Sequence, residues 1–220
     1  MVDVDFLREK IDFTNVSPIS SLKEIEKLCE KAIKYSVKTI YVQPVFLSYT
    51  KNKLKDKIAI GTTGGFPFGN IPVQIKLNEI EYAARNGARW IDICLNISNV
   101  KSNNWDNVKQ EICELKKKSS QESIGLKIII EVPFLTPTEI EKIVKIAEET
   151  KIEFLKTASG IRNKVTLEQL KFIKPLLKFC KIKVSGGIST LEEANKFFEN
   201  RADIIGSSKG FDILKEALKC

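Results

Sequence analysis

The chain has 220 residues, 43% of them hydrophobic and 29% charged, with a formal net charge of +8 and no histidine. That length and balance support one globular α/β domain spanning residues 1–220, and they exclude collagen-like, disordered and disulfide-scaffold classes. The missing histidine excludes Ser-His-Asp and Cys-His catalysis and histidine-bound metals, so acid–base work falls to Asp, Glu, Lys, Tyr, Cys or water.

In chain order, short β-branched runs alternate with amphipathic stretches. A strand over Ile11–Thr14 precedes a helix from about Ser21, which places Ile25, Leu28, Ala32 and Ile33 on one stripe. Thr39–Val42 reads as the second strand and Lys57–Thr62 as the third, and the link between them, Phe46–Lys55, is a weakly patterned helix. The next helix starts near Pro72 and stops at Gly87, before a strand over Trp90–Leu95. A helix from Asn104 carries Lys116, Lys117 and Lys118 near its end, where cations suit the dipole. A strand over Lys127–Val132 follows, then a helix with Thr136 as cap and Pro137 at the first helical position. Strands over Glu153–Thr157, Lys181–Ser185 and Asp203–Gly206 complete the set. The intervening helices open on the capping boxes at Thr166 and Thr190, and a last helix starts near Phe211. Strands separated by helices pair in parallel through right-handed crossovers, and eight such units in this length predict a closed TIM (β/α)8 barrel. Neither a G-x-G-x-x-G nor a G-x-x-x-x-G-K-[ST] sequence is present, so nucleotide-binding α/β folds lose support.

The positive charge is carried by 31 Lys against 5 Arg, and the lysines are scattered beside glutamates on helices, which reads as solvated helix faces. A nucleic-acid partner would call for arginine clusters interleaved with aromatics, and none is expected here. The excess charge does favour anionic substrates by long-range attraction. Cys29, Cys94, Cys113, Cys180 and Cys220 are widely spaced and read as reduced thiols, with neither a zinc site nor any other metal expected. The charged start MVDVDFLREK and the lack of a long apolar run predict a cytoplasmic protein with no membrane partner.

Barrel strands are covered on both faces and read as continuous apolar runs. Three carry a charge toward the carboxyl end, where barrel enzymes place their chemistry: Asp92 in WIDICLN, Lys156 in FLKTASG and Lys183 in IKVSGG. Buried charges of this kind shift their pKa or pair with one another. A lysine that acts as a nucleophile must be neutral although its reference pKa is ~10.4, and a second ammonium together with desolvation brings that value down. The free amine then attacks a carbonyl to give an iminium, an electron sink for making or breaking carbon–carbon bonds, while a carboxylate shuttles protons. A structural ion pair of Asp92 with either lysine competes for any one of these residues, but three together favour function. Lys181, two residues before Lys183, takes the structural reading.

Two loops fit a phosphate. Ser185-Gly186-Gly187-Ile188-Ser189-Thr190 follows the seventh strand, and Gly206-Ser207-Ser208-Lys209-Gly210 follows the eighth. Barrels commonly bind phosphate in these two loops, on backbone N–H groups at helix starts.

Together these segments resemble the deoxyribose-phosphate aldolase family over nearly the whole chain. IDFTNVSP is similar to the family's opening I-D-H-T-x-x-x-P, and GGFPFG at Gly64–Gly69 to its G-F-P-x-G loop, with Lys76 and Glu79 after it. IDICLNI, LKIIIEVPFLT, FLKTASG, KVSGGIST and IIGSSKG resemble the later strand ends, and the two lysine motifs are the most specific of them. The resemblance implies a class I aldolase with Lys156 as Schiff-base nucleophile, Lys183 as the neighbour lowering its pKa and Asp92 as proton relay. Gly186, Gly187, Gly206 and Ser208 would hold the phosphate. The implied reaction is reversible cleavage of 2-deoxy-D-ribose 5-phosphate to glyceraldehyde 3-phosphate and acetaldehyde, with no metal or organic cofactor, in a protein that often forms homodimers.

The sequence departs from the family pattern around these residues. Phe13 stands where the family has His, Tyr41 where Cys is frequent and Gln43 where Asn is usual. Ala158 replaces a hydroxyl residue, Ile161 a lysine found in some members and Ser189 the usual Arg. Lys209 replaces a Ser and offers a cation for the phosphate that Ile161 and Ser189 no longer provide. Two alternatives follow: a related Schiff-base aldolase acting on another phosphorylated sugar, or a weakly active barrel with a binding role.

Overall fold

The structure is a computed structural model, and it describes residues 3–161 and 164–219. Eight parallel strands close into one barrel in sequence order. They are β1 (Ile11–Asn15), β2 (Thr39–Val42), β3 (Ala59–Gly64), β4 (Trp90–Cys94), β5 (Gly125–Ile129), β6 (Phe154–Lys156), β7 (Lys181–Ser185) and β8 (Ile204–Ser207). Closure comes from β1 pairing with β8 through Ile11–Ile205, Asp12–Gly206 and Phe13–Ser207. Around them run α1 (Val4–Lys10), α2 (Leu22–Tyr35), α3 (Leu47–Leu54), α4 (Val73–Arg85), α5 (Ile97–Lys101), α6 (Trp105–Gln121), α7 (Pro137–Thr150), α8 (Leu167–Ile173), α9 (Leu191–Glu199) and α10 (Gly210–Ala217).

The helix starts follow the capping chemistry of the sequence. Ser21, Thr136, Thr166 and Thr190 each accept from the backbone N–H three residues on, and the Glu or Gln there closes the box. Gly87 follows α4 at a φ of +88°, a left-handed conformation that lets the chain turn into β4. The weakly patterned Phe46–Lys55 segment does form a helix, α3, because Leu47, Thr50 and Leu54 fall on one buried face.

Four expectations are corrected. The buried stripe of α2 is Ile25, Leu28, Cys29 and Ala32, whereas Ile33 is 49% exposed, rotated past the edge of the contact face. The fifth strand runs Gly125–Ile129, two to three residues earlier than expected, because Glu131 turns into the left-handed region and starts a 3₁₀ turn over Val132–Phe134. The short helices α1 and α5 carry too few turns for periodicity to show them. Asp92 and Lys183 sit mid-strand, and only Lys156 ends its strand.

Core packing is split between two shells, as alternation along a strand requires. Ile91 and Ile93 of β4, and Ile182 and Val184 of β7, are fully buried against the helices, which leaves Asp92 and Lys183 pointing into the barrel. Cys29, Cys94 and Cys180 are buried free thiols and Cys113 is exposed; Cys220 lies outside the described residues. Among the described residues no helix is long and apolar enough to cross a membrane, and no His, Cys, Asp and Glu cluster could hold a metal ion.

Candidate active site

Inward-facing residues from six strands form one polar cluster in the barrel. Asp92 Oδ2 accepts a hydrogen bond from Lys183 Nζ at 2.7 Å and lies 3.0 Å from Lys156 Nζ. Lys183 Nζ is also 2.7 Å from Asp12 Oδ2 on β1. Lys127 on β5 lies 3.6 Å from Asp12 Oδ2 and 4.0 Å from Asp92 Oδ1, and donates to Tyr41 Oη on β2 at 2.6 Å. All of these side chains are buried. The three sequence-predicted residues therefore meet, and Asp12 and Lys127 join them.

Two carboxylates among three ammonium groups leave one positive charge uncompensated in a dry interior, where it is costly. A lysine whose carboxylate contacts do not offset its burial gives up its proton. Lys183 contacts both carboxylates closely, and its pKa is raised: burial opposes the charge, but Asp12 and Asp92 outweigh it. Lys156 contacts Asp92 alone, and its pKa is lowered, first by burial and further by Lys183, against the pull of Asp92. Lys127 is lowered by burial, against Asp12 and Asp92. Burial would raise the Asp92 pKa, yet Lys183, Lys156 and Lys127 together hold it well below the usual carboxylate range. The arrangement thus keeps Lys183 charged and disfavours the charge on Lys156 and Lys127 alike.

Of the three lysines, only Lys156 lines the cavity above the cluster, which has a volume of about 560 Å³. Its walls come from the loops after β1, β3, β6, β7 and β8, and include Gly186, Gly187, Ser189, Gly206, Ser208 and Lys209. Gly186 and Gly187 have φ of +117° and +81°, so the loop after β7 needs glycine at both. Gly206 serves the lysine as well: a Cβ there would lie 2.7 Å from Lys183 Cε and 2.3 Å from Ser185 Oγ. Lys209 precedes α10, is 61% exposed at its side chain, and lies 3.8 Å from Asp212. Lys164 also lines this cavity, its stem lying across Gly187. It sits in a loop with no periodic pattern, which is why sequence reasoning passed over it.

The neighbouring loops are tied down by buried polar contacts. Lys76 Nζ donates to Glu111 at 2.5 Å and to the Cys94 carbonyl at 2.8 Å, fixing the upper end of β4. Glu79 accepts from the Gly65 N–H at 2.7 Å. The Thr157 hydroxyl donates to the Ser185 carbonyl at 2.9 Å, linking β6 to β7 beside both lysines. Several departures from the family pattern have local partners too. Phe13 points outward and packs on Phe211 with centroids 4.5 Å apart, Gln43 donates to the Ser17 carbonyl at 2.7 Å, and Ser189 bonds Glu193.

The family model for the DeoC/LacD family aldolases matches residues 2–216. The chain belongs to this family. Among curated relatives, the DeoC/LacD chain is 35% identical over 210 residues to the deoxyribose-phosphate aldolase of Clostridium botulinum, covering 93% of each chain. It is 32% identical over 212 residues to that of Thermococcus kodakarensis, covering 94% of this chain and 95% of the relative. Among solved structures it superimposes on QR15, an aldolase, with a TM-score of 0.92 and 35% identity, over 100% of this chain and 97% of that one. The cavity above Lys156 brings together a buried lysine whose pKa is lowered and, 3.0 Å from it, a carboxylate.

Proposed function

We propose that this class I aldolase cleaves 2-deoxy-D-ribose 5-phosphate reversibly to D-glyceraldehyde 3-phosphate and acetaldehyde, with residues 1–220 acting as one catalytic barrel in the cytoplasm. The observation that carries the reading is Lys156. It is the one cluster lysine that faces the cavity, and burial and Lys183 lower its pKa.

In this reading the Lys156 amine attacks C1 of the open-chain sugar, and the carbinolamine loses water to give an iminium. Loss of the C3 hydroxyl proton breaks the C2–C3 bond; the electron pair moves into the iminium, leaving an enamine on Lys156 and releasing glyceraldehyde 3-phosphate. Protonation at C2 and hydrolysis return acetaldehyde and the free amine. Asp92, 3.0 Å from the nucleophile, relays protons directly or through water, and Lys183 keeps the nucleophile uncharged. Gly186, Gly187, Gly206 and Ser208 face the phosphate, with Lys209 as its cation. The loops after β7 and β8 line the same cavity as the lysine, which suits a substrate spanning one carbonyl and one phosphate.

Incubating the protein with 2-deoxy-D-ribose 5-phosphate and identifying the products by mass tests this directly. Equimolar acetaldehyde and glyceraldehyde 3-phosphate support the reading. Turnover of a different phosphorylated aldose, with this one untouched, would reassign the substrate while keeping the chemistry.

A further inference from the structure

Tyr41 is the largest fully buried side chain among the described residues, and its ring stands inside the charged cluster rather than in the apolar shell. Lys183 Nζ lies 3.7 Å from the ring centroid, close enough for the ammonium to interact with the π face in a desolvated setting. The hydroxyl accepts from Lys127 at 2.6 Å. β3 leaves space for the ring: Gly61 is its register partner, and a Cβ there would lie 2.3 Å from Tyr41 Cζ. The ring and the missing side chain are thus one built feature, with no role in the bond-making steps above.

We propose that Tyr41 is a positioning residue that holds the cluster's excess charge on Lys183 and Lys127, so that Lys156 is the lysine left neutral. This rests on the Schiff-base reading of Lys156. The ring face offers Lys183 a third stabilising contact besides Asp12 and Asp92. The hydroxyl gives Lys127 its shortest contact, so that the ammonium there is favoured by a partner other than the carboxylates. Facing Tyr41 are Asp12 from β1, Asp92 from β4, Lys127 from β5 and Lys183 from β7. Facing Lys156 are Asp92 and Cys94 from β4, Lys127 from β5 and Lys183 from β7. The phenol itself does not titrate in the working range, because burial, Asp92 and Asp12 push its pKa well up.

The sign follows from these contacts. Removing the hydroxyl in Tyr41→Phe takes away the Lys127 contact and makes Lys127 easier to deprotonate. A neutral Lys127 no longer repels the Lys156 ammonium, which raises the pH at which the Lys156 amine becomes free. Tyr41→Met fills much of the space but lacks ring face and hydroxyl alike, so Lys183 loses its contact as well and the shift grows.

The test is the rate of reductive trapping of acetaldehyde by cyanoborohydride, followed by intact mass from pH 5 to 9 in the wild type and both variants, with circular dichroism and melting curves confirming the fold. The expected result is a midpoint raised by about half to one pH unit in Tyr41→Phe, equivalent to about three- to tenfold slower trapping on the acid side, and raised further in Tyr41→Met. Wild-type trapping with coincident midpoints in all three proteins would overturn the role of Tyr41 and leave the Schiff-base reading intact. Lower amplitude at an unchanged midpoint means a packing role only and overturns it equally. No trapping in the folded wild type overturns both.

Discussion

Lys183→Met tests the charge logic of the cluster most sharply. Lys156 and Lys183 both sit on Asp92 Oδ2, at 3.0 and 2.7 Å, so their ammonium groups are about 6 Å apart at most. Two like charges at about 6 Å repel by about 3 kcal/mol at an effective dielectric of about 20, which corresponds to about 2 pKa units. Removing Lys183 lifts that repulsion, and Asp92, relieved of one cation, turns its full attraction on Lys156. Both effects raise the Lys156 pKa. Below the wild-type midpoint kcat/KM should fall about a hundredfold, and the deficit should shrink as pH climbs toward the new midpoint. The assay is release of glyceraldehyde 3-phosphate from 2-deoxy-D-ribose 5-phosphate across pH 5–10. A loss of the same size at every pH would refute the reasoning, since it would mean that Lys183 acts by geometry or proton transfer and not through the charge of its neighbour.

Other outcomes follow from the same contacts. Asp92→Asn leaves buried ammonium groups short of a counter-charge, at a cost of ~3–5 kcal/mol, or a melting temperature about 6–20 °C lower for a chain of this size. The unpaired lysines then have depressed pKa values in the folded state, so the lost stability should be partly regained as pH rises; a deficit that widens with pH contradicts this. Lys209→Ala should raise KM for the phosphorylated sugar about three- to tenfold, as suits a largely exposed cation, while leaving unphosphorylated 2-deoxyribose unaffected. An unchanged KM removes Lys209 from the phosphate site. Gly61→Ala puts a methyl group into the Tyr41 ring and should destabilise by ~1–3 kcal/mol. Combining it with Tyr41→Cys should cost less than the two single changes added together, and strict additivity would place the clash elsewhere.

Asp92, Lys156 and Lys183 were legible in the sequence because each interrupts an apolar run that a barrel strand should not interrupt. Lys127 was not, for a reason of register. With the fifth strand expected to begin at Lys127, that residue sits at a strand start, where a charge faces water; the strand in fact begins at Gly125 and carries Lys127 at its centre. Asp12 was hidden by its setting, since Ile11–Asn15 already reads as mixed polar and apolar and one more polar residue raises no flag. The helix order was recoverable because Ser21, Thr136, Thr166 and Thr190 announce their helices locally, whereas α5 spans only five residues. How Tyr41 and Gly61 fit together cannot be read along the chain, because it depends on the pairing of two strands and on which way each residue faces.

The central claim is that Lys156 forms the covalent link to substrate. Borohydride reduction in the presence of 2-deoxy-D-ribose 5-phosphate, followed by peptide mass mapping, reads it directly. The account predicts one reduced adduct, on Lys156, that disappears in a folded Lys156→Ala variant. An adduct on Lys183 or Lys127 would reverse the assignment of charge within the cluster, and the absence of any adduct on a folded protein would contradict the Schiff-base mechanism outright.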